Sequence, residues 1–340
     1  MNRPKRAALG MLLAACVSDV TVARGNVFVG SVLYPLNVPT GVQNLSDFNA
    51  LTSGGIGAGD GTTSAGNLNA LEWSATGAVT NLNPTSAGIT YSSAQGACGS
   101  QQVGYGYGAT ATFGLYQAYL WTGSAASAVN LNPYQLDDLA SAAYATDGST
   151  QVGYGETGTN VVGAVLWTGS AISAVSLNPT GLGFTQSTAY GVGGGEEVGV
   201  AGSSNIAANA VLWKGTAASA INLNPSQLDI TQSTAMNTDG ILQVGYGSGP
   251  NTGVDNNGNP LTHALLWDGS AATAVDLNPG SLNVFESVAT AVGGGVEAGY
   301  GYLTSGYGNA LAWTGTAASA VDLQTVLPTS GTWTDSYALN

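Results

Sequence analysis

The sequence of 340 residues has very few charged side chains and almost no basic ones. Lysine and arginine together number 5, against 19 aspartates and glutamates. Charged residues make up 7% of the chain, whereas a globular domain ordinarily has about a quarter. Beyond residue 24 the one basic side chain is Lys214. Binding to nucleic acid needs several cations that neutralise phosphates, so this composition excludes a nucleic acid as a partner.

Histidine and cysteine are almost absent as well, with one His and two Cys in the chain. A catalytic triad or a zinc site would have to use His263, and the three or four ligands that zinc needs cannot be assembled around it. Acylation or removal of Cys16 would exclude a disulfide framework, and Cys98 lies in a Gly-Ala-Cys-Gly stretch typical of a turn. These scarcities exclude most enzyme chemistry and favour a protein without catalytic residues.

Other features show that the chain folds. Glycine contributes 51 residues but has no three-residue period, which excludes a collagen. A hydrophobic share of 44%, with 7 Trp and 15 Tyr, is too high for a disordered polymer. Beyond the N-terminal segment no run of 18 apolar residues occurs, so no membrane-spanning helix is expected there.

The N-terminus has the order of features of an export signal. Residues 2–6 hold three of the five cations, and the apolar run 7–17 is shorter than the ~20 residues that span a bilayer. The run contains Leu-Ala-Ala-Cys, ending at Cys16, which resembles the lipobox of bacterial lipoproteins, in which the cysteine is lipidated. We predict a signal peptide over 1–16 with lipidation at Cys16, then a linker over 17–31. A simple secretory signal and an uncleaved tail are the alternatives.

One sequence unit recurs along the rest of the chain. A tryptophan closes an apolar run at intervals of 48, 46, 46, 54 and 46 residues, at Trp73, Trp121, Trp167, Trp213, Trp267 and Trp313. Nine or ten residues later comes Leu-Asn-Pro, beginning at Leu82, Leu131, Leu177, Leu223 and Leu277. Eight residues after each proline is a serine, namely Ser92, Ser141, Ser187, Ser233 and Ser287. Eleven residues further on, Val-Gly-Tyr-Gly or a variant begins at Val103, Val152, Val198, Val244 and Ala298.

Each unit contains four short segments typical of β-strands. In the third unit they are Ser141–Ala145, Gln151–Gly155, Ala164–Trp167 and Ala174–Asn178, and Pro179 ends the last because it has no N–H to donate. Four strands in about 46 residues are typical of one blade of a β-propeller. We therefore predict an all-β propeller of four-stranded blades. A β-helix, whose coils repeat in about 20 residues, is the alternative.

The two ends of the repeat region predict how the ring closes. Six units are complete, at about 46–84, 92–133, 141–179, 187–225, 233–279 and 287–323. Before them, residues 32–37 resemble a fourth strand, and after them residues 336–340 resemble a first strand. We predict one propeller domain over 32–340, seven-bladed with an incomplete closing blade, as if the natural chain were longer.

The repeat resembles a known bacterial module. Asp-Gly-x-x-Gln-Val-Gly-Tyr-Gly followed by His-Ala-Leu-Leu-Trp at 263–267 is similar to the extracellular HAF repeat, whose usual form ends in His-Ala-Phe-Leu-Trp. The resemblance covers about residues 32–340 and implies a secreted or surface-attached protein with no established catalysis. It transfers no site residue, because the histidine occurs once. Elsewhere its place is taken by Asn69, Gln117, Gly163, Asn209 and Asn309.

Three groups of polar side chains are candidate sites, each with a structural alternative. For His263 the alternative is a hydrogen-bonding residue at the start of a strand. Glu196 and Glu197 are adjacent, but Glu197 takes a position that accepts either Gln or Glu, filled elsewhere by Gln102, Gln151, Gln243 and Glu297. Asp137 and Asp138 lie between two units, where a solvated turn is the alternative. Two carboxylates at a suitable separation would hydrolyse a glycosidic bond, which is the enzyme hypothesis.

An oxygen-rich loop offers the one cofactor candidate. Asp255, Asn257 and Asn259 have the composition of a calcium loop, although the glycine at position six and the distant glutamate of an EF-hand are missing. A long polar hairpin loop is the alternative.

The connection between the second and third strands varies in length. From the first residue of Val-Gly-Tyr-Gly to the tryptophan there are 15 residues in three units, 18 in the second and 23 in the fifth. Insertions of one loop class gather on one face of a ring, often the binding face. We expect that face to include Tyr107, Tyr116, Asp255, His263, Tyr302 and Tyr307, with tyrosines available to stack on sugars. The Val-Gly-Tyr-Gly tyrosines are expected to cover strand glycines.

These features predict an exported protein of a Gram-negative bacterium, extracellular or attached to the outer membrane by a lipid anchor. Its predicted role is that of a non-enzymatic binding or structural module, with a glycan or another surface protein as partner. The alternative is a glycan-binding or glycoside-active propeller that uses carboxylates and tyrosines on the loop face. A calcium-stabilised structural repeat is a third possibility.

Overall fold

The computed structural model describes residues 10–12, 42–52, 54–108, 115–303, 308–326 and 337–339. Within these ranges the chain forms β-strands and short 3-10 helices, without an α-helix. Among the helices so described, none is both long and apolar enough to pass through a bilayer. The predicted all-β class is confirmed.

The strands form six four-stranded antiparallel sheets, the blades, in which strands follow one another in chain order. A short strand, β1 (Gly10–Leu12), precedes them. Blade 1 contains β2 (Val42–Leu51), β3 (Gly57–Thr63), β4 (Leu68–Trp73) and β5 (Val79–Asn81), and blade 2 contains β6 (Ile89–Cys98), β7 (Gln101–Gly108), β8 (Gln117–Trp121) and β9 (Val129–Asn130). Blade 3 contains β10 (Asp138–Thr146), β11 (Gln151–Thr157), β12 (Val162–Trp167) and β13 (Val175–Ser176), and blade 4 contains β14 (Gln186–Gly193), β15 (Glu196–Ser203), β16 (Ile206–Trp213) and β17 (Ile221–Asn222). Blade 5 contains β18 (Gln232–Thr238), β19 (Gln243–Ser248), β20 (Thr262–Trp267) and β21 (Val275–Asp276), and blade 6 contains β22 (Val284–Gly293), β23 (Val296–Leu303), β24 (Gly308–Trp313) and β25 (Val321–Asp322), with β26 (Tyr337–Leu339) after it.

Short 3-10 helices occupy two recurrent positions that the sequence did not indicate. Five connect a third strand to a fourth, at Ala125–Ser127, Ala171–Ser173, Ala217–Ser219, Ala271–Thr273 and Ala317–Ser319. Five follow the proline of Leu-Asn-Pro, at Thr85–Ala87, Tyr134–Leu136, Thr180–Leu182, Ser226–Leu228 and Gly280–Leu282. Two more are Pro250–Thr252 and Leu323–Val326. The fourth strand of blade 3 is therefore shorter than predicted, because after Leu177, which still donates to Ala164 of the third strand, the chain turns away to begin such a helix.

Neighbouring blades pack through the tryptophan of the repeat. Trp167, on β12 of blade 3, shares a core with Val103, Leu120 and Leu131 of blade 2. The same relation to the preceding blade holds for Trp121, Trp213, Trp267 and Trp313. Each of these five indoles is at most 1% exposed. A single blade could not bury this side chain, so the stacking of blades is what creates the core.

The serine and the Leu-Asn-Pro of the repeat meet at every described junction between complete blades. Ser141 Oγ donates a hydrogen bond to Asn132 Oδ1 at 2.6 Å and accepts one from the backbone N–H of Ala118 at 2.9 Å. The same serine–asparagine bond joins Ser92 to Asn83, Ser187 to Asn178, Ser233 to Asn224 and Ser287 to Asn278. This bond accounts for the fixed spacing between the proline and the serine.

The first strand of each blade lies at the axis of the ring. The strands β2, β6, β10, β14, β18 and β22 contact one another in sequence. Each carries a β-bulge at the same position, where one residue is skipped in the register: Asn49, Gln95, Tyr144, Tyr190, Met236 and Thr290. A bulge bends its strand and changes the direction of a side chain. Each blade therefore has one bulge residue near the axis, and its type varies among the blades.

The ring is closed by two short strands from the ends of the chain. β1 pairs in parallel with β26, Gly10 opposite Tyr337, and this pair packs beside β2 on one side and blade 6 on the other. The predicted C-terminal strand is thus present, at Tyr337–Leu339. The predicted strand over 32–37 and the predicted linker over 17–31 lie outside the described residues.

Candidate functional site

Four tyrosines meet at one end of blade 2, and we call them the tyrosine cluster: Tyr91, Tyr105, Tyr107 and Tyr116. The rings of Tyr91 and Tyr107 are stacked with centroids 4.9 Å apart. The ring of Tyr116 is set edge-on to Tyr105 at 5.0 Å and to Tyr107 at 5.1 Å. Tyr116 is 41% exposed, and the other three rings are half-buried. The cluster is therefore a packed aromatic surface with one strongly exposed member.

The alternation of side chains along two paired strands brings these rings together. Tyr105 and Tyr107 are two residues apart on β7 and so lie on the same face. On β6, Tyr91 is opposite Tyr107 and Ser93 is opposite Tyr105. Tyr116 immediately precedes β8. The cluster lies on the loop face, by which we mean the side of the ring that carries the connections between second and third strands and between blades.

Asp60 lies beside this cluster in a position that holds tyrosine in four other blades. It is opposite Asp47 in blade 1, as Tyr105 is opposite Ser93 in blade 2. Asp60 is buried, with 2% of its surface exposed. Oδ2 accepts a hydrogen bond from Ser93 Oγ at 2.5 Å, and Oδ1 has no hydrogen-bond partner among the described residues. Asp60 therefore links blade 1 to blade 2 through a buried carboxyl that is only half satisfied.

Burial raises the pKa values of the acidic and phenolic groups in and beside the tyrosine cluster. Burial raises the pKa of Asp60 to about 6, against the hydrogen bond from Ser93 and with the help of the neighbouring Asp47 carboxylate. Burial raises the pKa of Tyr91 to about 12, and the hydroxyls of Tyr105 and Tyr116 and the Asp60 carboxylate act in the same direction. Burial also raises the pKa of Tyr105, and Asp60 adds to that shift. These tyrosines are neutral hydrogen-bonding phenols at neutral pH.

A second group of tyrosines continues the aromatic surface toward the axis. Tyr144, the bulge residue of blade 3, lies 5.9 Å from Tyr154 and 5.6 Å from Tyr190, centroid to centroid. Burial raises the pKa of Tyr154, and Glu156 and Tyr105 raise it further, which places blade 3 next to the tyrosine cluster. The Val-Gly-Tyr-Gly tyrosine of blade 3 thus packs against a second ring, and the cover of strand glycines stays a prediction.

Sequence reasoning selected Tyr107 and Tyr116 but missed Tyr91 and Asp60. Asp60 could have been found by aligning Gly-Ala-Gly-Asp-Gly of blade 1 with Gln-Val-Gly-Tyr-Gly of blade 3, which reveals an acid in a tyrosine position. Tyr91 could not, because the register of β6 and β7 shifts between Ile89 and Tyr91, so the opposite residue does not follow from counting.

The other predicted face residues do not join the cluster. His263, at the start of β20 in blade 5, donates from Nδ1 to Asp276 Oδ2 at 2.7 Å. In blade 6, Asn309 Nδ2 makes the corresponding bond to Asp322 Oδ2, also at 2.7 Å. Tyr302 contacts Tyr300 edge-on at 5.8 Å in blade 6. Tyr307 lies outside the described residues.

The predicted calcium loop is held by its own hydrogen bonds. Asp255 Oδ1 accepts the backbone N–H groups of Asn257 at 2.8 Å and Asn259 at 2.9 Å, and Oδ2 accepts Asn259 Nδ2 at 3.1 Å. These bonds lower the pKa of the exposed Asp255. Nowhere in the described part of the chain do three His, Cys, Asp or Glu side chains gather as metal ligands would.

The two glutamates of the adjacent pair have different structural partners. Glu197 Oε2 accepts the backbone N–H of Gly215 at 2.7 Å, after Trp213. The same bond is made by Gln102, Gln151, Gln243 and Glu297 to the glycine that follows their own tryptophan by two residues. Glu196 Oε2 accepts a hydrogen bond from Gln243 Nε2 of blade 5 at 2.8 Å. Glu196 Oε1 lies 3.0 Å from Lys214 Nζ, with which it forms an ion pair. Both carboxylates are therefore occupied by the scaffold.

Asp137 and Asp138 differ in conformation and in burial. Asp137 ends a 3-10 helix in the left-handed conformation, with φ 62°, where Gly183, Asp229 and Asn283 stand in other blades. Asp138 is 5% exposed, so the predicted solvated turn is wrong for this residue. It occupies a position between blades that is otherwise apolar, filled by Ile89, Phe184, Ile230 and Val284. Burial raises its pKa to about 6, and Asp137 adds to the shift.

Of the two cysteines, Cys98 lies in the described part of the chain. Cys98, at the end of β6, is disulfide-bonded. The sequence excludes a disulfide only if Cys16 is acylated or removed, so the bonded Cys98 belongs to a chain with neither change. Cys16, the predicted lipidation site, lies outside the described residues.

Comparisons with known proteins bear on the fold. No family model matches the sequence, and no curated protein matches it either. The β-propeller domain of the Trilobed protease from Pyrococcus furiosus, described as having an open velcro topology, aligns with a TM-score of 0.53 at 9% identity over 83% of both chains. The acylaminoacyl peptidase of Pyrococcus horikoshii aligns with a TM-score of 0.50 at 11% identity over 82% of this chain and 45% of that one. With six blades and this likeness, the chain folds as a β-propeller.

Proposed function

We propose that this propeller is an exported, non-enzymatic binding module whose ligand surface is the tyrosine cluster on the loop face. The observation that carries the proposal is the convergence of Tyr91, Tyr105, Tyr107 and Tyr116 at one end of blade 2, with Tyr116 41% exposed. Exposed aromatic rings grouped on one surface are typical of recognition sites, because they offer large contact area at low entropic cost. The partner is a glycan or another surface component.

The export part of the proposal rests on the N-terminal segment and on cysteine chemistry. Residues 1–16 have the charge and hydropathy of a signal peptide, and β1 (Gly10–Leu12) lies within them, so its pairing with β26 belongs to the uncleaved chain. Disulfides such as the one at Cys98 form in oxidising compartments, which favours export of a chain that retains Cys16. The similarity of the repeat to the extracellular HAF family points the same way. Lipidation of Cys16 and an intrachain disulfide exclude each other, because the chain has two cysteines. Intact-mass measurement of the protein from a membrane fraction distinguishes a lipid adduct from the loss of two hydrogens.

The binding role is tested on an array of oligosaccharides and surface peptides with the full chain. We expect Tyr116→Ala to abolish the signals of the wild-type protein. The matched control is Tyr134→Ala, because Tyr134 is also exposed, at 48%, and its hydroxyl accepts a hydrogen bond from Gln117 Nε2 at 2.6 Å in the connection between blades 2 and 3. Signals that survive Tyr116→Ala would overturn the proposed surface.

Glycoside hydrolysis is the second candidate, because a general acid in such enzymes needs a raised pKa. Asp60 and Asp138 both have a pKa of about 6. Asp60 Oδ1 is buried, so a substrate would reach it only after the side chains around it rearrange. A hydrolysis screen decides the matter: turnover that is lost in Asp60→Asn or in Asp138→Asn would replace the binding role by catalysis.

A further inference from the structure

The charged side chains described on the loop face are of one sign. On the loop face, acidic side chains occur at the starts of first strands, at the ends of second strands and in the connections: Asp137, Asp138, Glu156, Asp229, Asp255 and Glu286. Lys214 is the one lysine or arginine in the described residues. It follows Trp213 on the opposite side of the ring, where it is paired with Glu196 at 3.0 Å. An anionic ligand would therefore meet repulsion at the loop face with no compensating cation.

The aromatic rings add to this potential. The face of a phenol ring is the negative side of its quadrupole, and a cation placed over it is attracted. In the tyrosine cluster the rings are stacked or edge-on to one another, and Tyr116 is the most exposed member, so its ring is the one most open to a ligand.

The carboxyl group of Asp60 lies beside these rings, since Ser93, which is opposite Tyr105, donates a hydrogen bond to Asp60 Oδ2. Asp60 is close enough to Tyr91 and Tyr105 to raise the pKa of both hydroxyls, and Glu156 does the same to Tyr154. At neutral pH the Asp60 carboxyl, whose pKa is about 6, is mostly ionised. Its Oδ1 accepts no hydrogen bond within the described residues, whereas Ser93 and the backbone of Asp47 donate to the carboxyl group.

We infer that the ligand group bound at the tyrosine cluster is an organic cation of the methylated ammonium type, held over the faces of Tyr116 and its neighbours. A weakly hydrated ammonium group is attracted both by the faces of aromatic rings and by carboxylates that do not touch it. A hydrated metal ion would instead need several oxygen ligands in direct contact, and no such group of three acidic or imidazole side chains occurs in the described ranges. This inference rests on the proposed binding function and narrows its ligand class.

The test compares choline with 3,3-dimethylbutan-1-ol, which has the same shape without the charge, by calorimetric or NMR titration of the full chain at pH 7.5. We expect choline to bind about tenfold more tightly than the neutral alcohol, since cation–π contacts contribute about 0.5–2 kcal/mol. Tyr116→Phe keeps the ring face and should retain the preference. Tyr116→Leu should remove it, whereas Tyr134→Leu should leave it unchanged.

Asp60 supplies an independent arm. Asp60→Asn removes the charge and keeps the size of the side chain, so choline affinity should fall about threefold while the affinity for the neutral alcohol stays constant. Raising NaCl from 50 to 500 mM should weaken choline binding in the wild type more than in this variant.

The outcomes separate this inference from the proposed function. Equal affinity for choline and the neutral alcohol, both lost in Tyr116→Leu, would overturn the cationic class and leave the binding surface in place. If the protein binds array partners through Tyr116 but does not bind choline, the cationic class is likewise overturned and the binding surface stays in place. Choline binding that is unaffected by Tyr116→Leu would overturn both the inference and the surface.

Discussion

The interfaces between blades and the lining of the axis use the same repeat in opposite ways. At the interfaces, one tryptophan and one serine–asparagine bond recur from blade to blade, and within each of blades 2 to 6 one Gln or Glu accepts the N–H of the glycine that follows the tryptophan. At the axis, equivalent positions hold different residues. The bulge residues are Asn49, Gln95, Tyr144, Tyr190, Met236 and Thr290, and the second-strand position holds Asp60, Tyr105, Tyr154, Val200, Tyr246 and Tyr300. Constant positions therefore carry the stability of the ring, and variable ones give each blade its own chemistry.

The largest effect should come from breaking a constant interface position. Trp167 is completely buried between blades 2 and 3. Trp167→Ala should lower the free energy of unfolding by about 3–5 kcal/mol, because it opens a large cavity that the blades cannot close. Urea denaturation measures this. Ile172→Ala, at an 86% exposed position, is the control and should change stability by under ~0.5 kcal/mol. A loss of under ~1 kcal/mol at Trp167 would mean that the indoles do not hold the blades together.

This division also explains what could be predicted from the sequence. The tryptophan spacing and the Leu-Asn-Pro to serine spacing gave the blades correctly, since both are set by contacts that recur in every blade. The candidate site was recovered only in part. Tyr107 and Tyr116 stood out because they are absent from other units, but their partner Tyr91 depends on a register shift in β6. The burial of Asp138 was missed because an acid there looks like a turn residue unless it is aligned with Ile89 and Phe184.

A pH titration tests the axial side of the comparison. The pKa of Asp60 is about 6 in the folded chain, above the ordinary value of 3.8 for an aspartate. Between these values the folded chain binds a proton that the unfolded chain has released, so stability is greatest at low pH and falls as the pH rises through this window. The loss by pH 7 is about 3 kcal/mol from this carboxyl, at 1.36 kcal/mol per pKa unit.

Asp138, with a pKa of about 6, should add a loss of the same sign. We expect the melting temperature of the wild type to fall from pH 4.5 to pH 7.5, and the fall to be smaller in Asp60→Asn. Parallel curves for the wild type and this variant would show that Asp60 is not a buried acid in the folded protein.

Removing the link between blades should have an intermediate effect. Ser141 is completely buried, and its Oγ joins Asn132 of the preceding junction to the N–H of Ala118. Ser141→Ala leaves both partners unsatisfied in the core, so it should lower the free energy of unfolding by about 1–3 kcal/mol. Ser149→Ala, at an exposed turn position, is the matched control. If the two variants unfold at the same denaturant concentration, the recurrence of this bond would have no energetic meaning.

The smallest effect should come from the one histidine of the chain. His263 bonds to Asp276 on the neighbouring strand, and Asn309 makes the corresponding bond to Asp322 in blade 6. Because the position works with either residue, His263→Ala should change stability by under ~1 kcal/mol, and His263→Asn should restore most of that by donating from its amide. Both are measured by urea denaturation at pH 7.5. A loss well above 1 kcal/mol that His263→Asn does not restore would show a role specific to the imidazole, and would move His263 from the constant scaffold to the variable, functional positions.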